Sequence, residues 1–263
     1  MARYKRTNGT QGKIGLNRAT HGSETVMNIR ESTQSFRKVE QAPTQKGGFL
    51  QPQWRTNPRT HEHRSQVLID YCKGKKCLDV GCASGIQGKG WMHGRLAESI
   101  EKISGIDIDV EGIALAKERG YNVQLADAEQ FDLGEKFDVI TAGELIEHLA
   151  NPGSFLEQVK KHLNPDGVLV ITTPNAFAAS NFVYRLKGEA RVNRDHMAWY
   201  CPVTLRQLFK RHGLETVEIK YVEHFTPGAV RRSLAKMVRA ITPAQMKWGT
   251  LLAVAKLPAS AAN

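Results

Sequence analysis

Three observations predict an α/β fold: a doubly wound, mostly parallel sheet of seven strands behind a basic, partly irregular N-terminal extension. A short apolar run, Cys77–Val80, breaks into a turn with Gly81 and Gly85 at its ends and only small residues between them. Further apolar runs alternate with amphipathic stretches at the intervals that βαβ units require. The runs also end in acids, with Asp79 just before the glycine turn, then Asp107, Asp127 and Glu144. In open parallel sheets the ligand lies beyond the carboxyl ends of the strands, so these acids are expected to converge on one site.

The elements follow in order. Residues 1–58 form the basic extension, which up to about Gly48 has little period and much Thr, Gln, Asn, Gly and Arg, with one short helix expected over Glu24 to Phe36. Phe49 to Pro58, with Trp54 among prolines, reads as a lid or a linker. A domain over 59–257 then opens with a helix from Arg59 to Lys73, where Val67, Leu68 and Tyr71 share a face. After the glycine turn a helix is expected through Leu96, Ile100 and Ile103. The second strand is Ser104–Asp109, the third Val123–Leu125, the fourth Phe137–Ala142 and the fifth Val168–Thr172. Helices fall between them at Val110 to Arg119, capped by Asp109 and stopped by Gly120, and at Phe155 to Leu163, closed by the turn Asn164–Gly167. A helix at Pro202 to His212 and strands at Leu214 to Val222 and Trp248 to Lys256 complete the set. Inserts are expected near 175–200 and 224–246, and a tail at 258–263.

Charge is unevenly spread. Of 37 Lys/Arg and 26 Asp/Glu, the first 76 residues hold 15 and 5, which accounts for nearly all of the net charge of +11. Such a segment suits RNA, an anionic glycan or a membrane surface, or is simply a solvated leader. No apolar run reaches the roughly 18 residues that cross a bilayer, and the basic start Met1–Arg6 lacks the apolar core of a secretory signal. The four cysteines form no C-x-x-C, so reduced, mostly buried thiols in a cytoplasmic protein are expected. Within 224–246, Val230, Leu234, Met237, Val238 and Ile241 mark one helical face, with Arg231, Arg232, Lys236 and Arg239 on the others. That pattern allows peripheral membrane contact or a helix packed on the protein.

The glycine spacing decides the ligand class. G-x-x-x-G differs from the G-x-G-x-x-G that seats a dinucleotide pyrophosphate, and a carboxylate beside it suits a cationic ligand. The run Asp79-Val80-Gly81-Cys82-Ala83-Ser84-Gly85 resembles the first motif of class I S-adenosylmethionine-dependent methyltransferases, which have a Rossmann-like fold. The likeness extends over roughly Arg59 to Leu257. It implies that S-adenosylmethionine is held by Asp79, Gly81, Cys82, Ala83, Gly85, Asp107, Ile108, Asp127, Ala128 and Gly143. Asp107 would take the ribose hydroxyls, and Asp127 with the Ala128 amide the adenine. It also implies that the last strand pairs antiparallel with its neighbour.

Gly143-Glu144-Leu145-Ile146-Glu147-His148 resembles the E-x-x-E-H of quinone-biosynthesis O-methyltransferases and of bacterial glycan and lipid methyltransferases. Thr173-Pro174-Asn175 and the stretch from Arg194 to Pro202, with His196, match the same group. The candidate catalytic residues are thus Glu144, Glu147, His148 and His196. These four also resemble the divalent-metal site of small-RNA ribose 2′-O-methyltransferases, in which Glu144 and Glu147 would share a helical face. A metal-free base or anchor at His148 or His196, and a structural role for either, stand beside that reading. D-P-P-Y or N-P-P-F after the fourth strand is absent, as is Pro-Cys, which argues against base-amine and cytosine-C5 methylation. The expected activity is O-methylation of a small-molecule, glycan or lipid-linked acceptor. RNA methylation and a non-catalytic S-adenosylmethionine-binding module are the alternatives.

Overall fold

In a computed structural model of the chain, residues 63–88, 90–186, 188, 192–223 and 242–259 are described. The basic extension 1–58, the helix expected at Glu24 to Phe36, the Phe49 to Pro58 lid and the basic amphipathic face from Val230 to Ile241 fall outside them.

The elements are α1 (Arg64–Cys72), β1 (Cys77–Val80), α2 (Met92–Ala97), β2 (Ile103–Asp107), α3 (Val110–Glu118), β3 (Val123–Leu125), β4 (Phe137–Gly143), α4 (Pro152–His162), β5 (Leu163–Pro174), α5 (Ala179–Leu186), α6 (Pro202–Arg211), β6 (Glu215–Val222) and β7 (Thr250–Lys256). The strands form one seven-stranded sheet in the order β3-β2-β1-β4-β5-β7-β6. β1 to β5 pair parallel, and β7 runs antiparallel between β5 and β6.

The period of two along each strand sorts apolar side chains onto both faces, so both must be covered. Leu78, Val80, Ile140, Ala142, Leu169 and Ile171 pack with Phe155, Leu156 and Val159 of α4 and with Leu205 and Phe209 of α6. The intervening Cys77, Val139, Val170, Leu252 and Val254 pack with Val67, Leu68 and Cys72 of α1 and Leu96 of α2. Asp109 caps α3 by accepting from the Glu111 and Gly112 amides, and Gly120, at φ +84°, leads the chain away from that helix. All four cysteines are free thiols.

Two local expectations change. Ile103 begins β2 rather than ending a helix, because α2 stops at Ala97. Asn164–Gly167 does not close a helix by a separate turn. β5 begins at Leu163, and the four residues bulge between the pairs Phe137–Leu163 and Val139–Val168.

The glycine turn is packed where side chains would not fit. A Cβ on Gly105 would lie 2.7 Å from Cβ and Sγ of Cys82 and 2.8 Å from Cε1 of His93, and one on Gly112 would lie 2.7 Å from Cβ of Ala83. Gly105→Ala is therefore expected to destabilise the fold by about 1–3 kcal/mol through overpacking. A thermal melt should register this as a drop of roughly 3–10 °C.

Candidate functional site

The turn after β1 is held from below by β2. The Gly81 and Cys82 amides donate to the Ile106 carbonyl at 2.8 and 3.1 Å, and the Ala83 amide donates to Asp107 Oδ2 at 2.8 Å. Asp107 Oδ1 accepts from the Asp109 amide at 2.9 Å, so one carboxylate ties the turn to the tip of β2. Gly81 and Gly85 sit at φ +83° and +80°, a region glycine enters without cost. Asp127, beyond β3, accepts from the Glu129 amide and from the Gln130 side chain, each at 2.9 Å.

Two cavities open at the carboxyl ends of these strands, and Gly81 borders both. The larger, about 400 Å³, is walled by Ile106, Asp107, Ile108, Asp127, Ala128, Leu145 and His148. The smaller, about 250 Å³, is the more polar of the two: Asp79, Cys82, Gly85, Gly143 and Glu144 line it, joined by Arg64, Met92 and His93. An elongated ligand with a nucleoside at one end and charged groups at the other matches this pair in chemistry. Ala83 borders neither cavity, since its methyl is buried against α3.

Beyond β4 the chain does not enter a helix. Glu144 donates its amide to the Thr172 carbonyl and then turns through φ +54°, and His148 closes a short turn onto the Leu145 carbonyl. Glu144 and Glu147 therefore do not share a helical face. Glu144 lies 3.5 Å from the Arg64 guanidinium. Burial pushes its carboxyl up, against the pull of Arg64.

Glu147, His148 and His196 do come together, each with one ligand atom within 4.8 Å of the others. The two imidazoles meet edge to face at 4.6 Å. The segment carrying His196 is pinned by the Met197 and Ala198 amides, both donating to the Glu147 carbonyl. Glu147 is 1% exposed. Its Oε2 accepts from Thr173 Oγ1 at 2.9 Å, while its buried Oε1 has no hydrogen-bond partner. Burial, reinforced by the nearby Glu144, pushes its carboxyl up to about 7. Burial first, and His148 second, pull His196 below the usual imidazole range.

Sequence reasoning missed Arg64 and His93. Nothing in the local pattern marks either one: Arg64 reaches Glu144, 80 positions on in the chain, and His93 reaches Asp79 only through the tertiary fold.

A family model described as a methyltransferase domain matches residues 59–219. The ubiquinone biosynthesis O-methyltransferase of Haemophilus ducreyi is 31% identical over 172 residues, covering 59% of this chain and 70% of that protein. The protein of the same name from Thiobacillus denitrificans is 31% identical over 164 residues, covering 56% of this chain and 67% of that one. The chain thus spans about two thirds of the length of these curated relatives. A solved SAM-dependent methyltransferase from Archaeoglobus fulgidus shares the fold, with a TM-score of 0.55 at 19% identity over 73% of this chain and 91% of that one. With the seven-stranded sheet and the glycine turn in place, the chain belongs to the class I S-adenosylmethionine-dependent methyltransferases and is an enzyme that uses S-adenosylmethionine.

Proposed function

We propose that the enzyme methylates an oxygen of a small, largely apolar acceptor, with the donor's nucleoside in the larger cavity and its methionine end in the smaller. In this reading Asp107, Ile108, Asp127 and Ala128 hold the nucleoside, while Asp79, Gly81, Cys82, Gly85 and Gly143 bound the methionine end. Ala83 acts indirectly, fastening the turn to Asp107. Arg64 suits the donor's carboxylate, and the acids Asp79 and Glu144 suit its ammonium and sulfonium charges.

The observation that carries an oxygen acceptor is the cluster Glu147–His148–His196 beside the cavities. An amine attacks a methyl sulfonium with its own lone pair, whereas a hydroxyl must lose a proton, and a buried acid raised to about 7 with two imidazoles beside it supplies that loss. His148 lines the larger cavity and His196 is half-buried, so an acceptor hydroxyl meets an imidazole first, with Glu147 behind it. The remaining barrier reduction comes from alignment of the two reactants, worth about 7–11 kcal/mol when geometry is favourable.

A divalent ion also fits the cluster. The unpartnered Glu147 Oε1 and the two imidazoles form a mixed oxygen and nitrogen set, to which Glu144 does not contribute in this arrangement. An ion held by Glu147, His148 and His196 would lower the pKa of a bound hydroxyl. Met197 and Trp199 beside His196, and Phe177 and Phe182 nearby in the chain, are exposed. They favour an aromatic or lipid-linked acceptor over a polyanion, in keeping with relatives named for ubiquinone biosynthesis. Among the described residues no helix is long and apolar enough to cross a membrane.

The test is transfer from methyl-labelled S-adenosylmethionine to a phenolic acceptor, with RNA in a parallel reaction. Label is expected in the phenol, with activity falling under chelator and returning with Mn²⁺. Label in RNA alone would overturn the acceptor, and full activity after exhaustive chelation would remove the ion.

A further inference from the structure

Asp79 is 5% exposed yet borders the smaller cavity, and two side chains from different elements hold it. Thr141 Oγ1 of β4 donates to its Oδ1 at 2.7 Å, and His93 Nδ1 of α2 lies 3.0 Å from its Oδ2. His93 is 1% exposed and occupies a slot built around its ring. Trp91 and Tyr121 flank it at centroid distances of 5.6 and 5.9 Å, and Trp91 is itself fixed by its indole N–H on the Cys82 carbonyl at 2.6 Å. The missing Cβ of Gly105 leaves room for the ring, as a methyl there would come within 2.8 Å of Cε1. A buried histidine so placed does not meet the methyl acceptor, and the chemistry proposed for Glu147, His148 and His196 does not use it.

We propose that His93 is a positioning residue for the donor: its Nδ1–H fixes the rotation of the Asp79 carboxylate, which then presents a stationary negative group to the donor's cationic methionine end. Each carboxylate oxygen has a second lone pair, so the two internal hydrogen bonds leave acceptor capacity for a ligand N–H. A carboxylate free to rotate would have to be ordered on binding, and holding it in advance removes that cost. Thr141 secures one oxygen and His93 the other, and losing either lets the group turn. The inference rests on the smaller cavity taking the methionine end, as proposed above.

The experiment is calorimetric titration of the full chain with S-adenosylhomocysteine, alongside steady-state kinetics in the donor. His93→Leu is expected to weaken binding about tenfold or more and to raise the donor KM, with kcat at saturating donor held within about threefold. His93→Asn carries an amide N–H close to the position of Nδ1–H and is expected to return binding to within about threefold of the parent. A structural role alone would leave His93→Asn as poor as His93→Leu, and that result overturns the proposal, as does unchanged binding in His93→Leu. Should His93→Leu lose its cooperative melt, Thr141→Val decides the matter by removing the other hydrogen bond to the same carboxylate. Binding about three- to tenfold weaker supports the proposal, and parental binding ends it. Failure of the parent chain to bind S-adenosylhomocysteine would count instead against the assignment of the cavities.

Discussion

Glu147→Gln is expected to lower methyl transfer by about 10²–10⁴-fold while leaving S-adenosylhomocysteine affinity within about threefold of the parent, the signature of a lost acid–base group. Glutamine keeps the shape and can still accept from Thr173, so the change removes charge and proton capacity rather than packing. Glu147 borders neither cavity, which is why donor affinity should survive. Stability should move the other way. With its carboxyl raised from 4.5 to about 7, folded Glu147 keeps a proton that the unfolded chain releases. Between those values the folded state binds more protons, so stability falls as pH rises, by an amount on the order of 3 kcal/mol, and is flat above about 7. In ion-free buffer at pH 8, Glu147→Gln should therefore melt higher than the parent, and at pH 4 the difference should vanish. Parental activity in the variant, or a variant no more stable at pH 8 than the parent, would show that the buried acid is not in this state.

With Asp107 holding both ribose hydroxyls, as proposed, Asp107→Ala is expected to weaken S-adenosylhomocysteine binding by about 10²–10⁴-fold, at about 1.5–3 kcal/mol for each charge-assisted hydrogen bond lost. A cost in stability should accompany it, because the Ala83 and Asp109 amides lose their acceptor. Leaving the buried amide unpaired costs about 1–3 kcal/mol. Asp107→Asn retains one acceptor oxygen and should fall between. Equal affinity in parent and Asp107→Ala, measured by titration, would move the ribose elsewhere.

The sheet was legible because strand and helix periods differ, and because Gly81, Gly85, Gly120 and the Asp109 cap punctuate them where the backbone changes course. The site was legible less evenly. Acids at strand ends could be placed on one edge of the sheet from spacing alone, but not what they would touch there. Asp79 looked like a bare ligand and instead sits between His93 of α2 and Thr141 of β4, partners 14 and 62 positions away in the chain. Glu144 and Glu147, three residues apart, suggested a helical face. The left-handed turn at Glu144 instead separates them, sending one toward Arg64 and the other under His148 and His196. Short-range spacing carries no information about a single backbone angle of that kind.

The placement of β7 has a consequence for how the chain acquires its structure. β5 and β6 share no ladder and meet only through Thr250–Lys256, which pairs with Val168–Pro174 on one side and Glu215–Val222 on the other. During synthesis the parallel half of the sheet can close as soon as residue 174 emerges, whereas its open flank must wait about 80 residues for a partner. Loop closure over that separation is slow, and an unpaired apolar edge persists meanwhile. Nascent chains arrested short of residue 250 would thus expose β5 to intermolecular pairing, making the interval before β7 emerges the stretch in which a chaperone matters most.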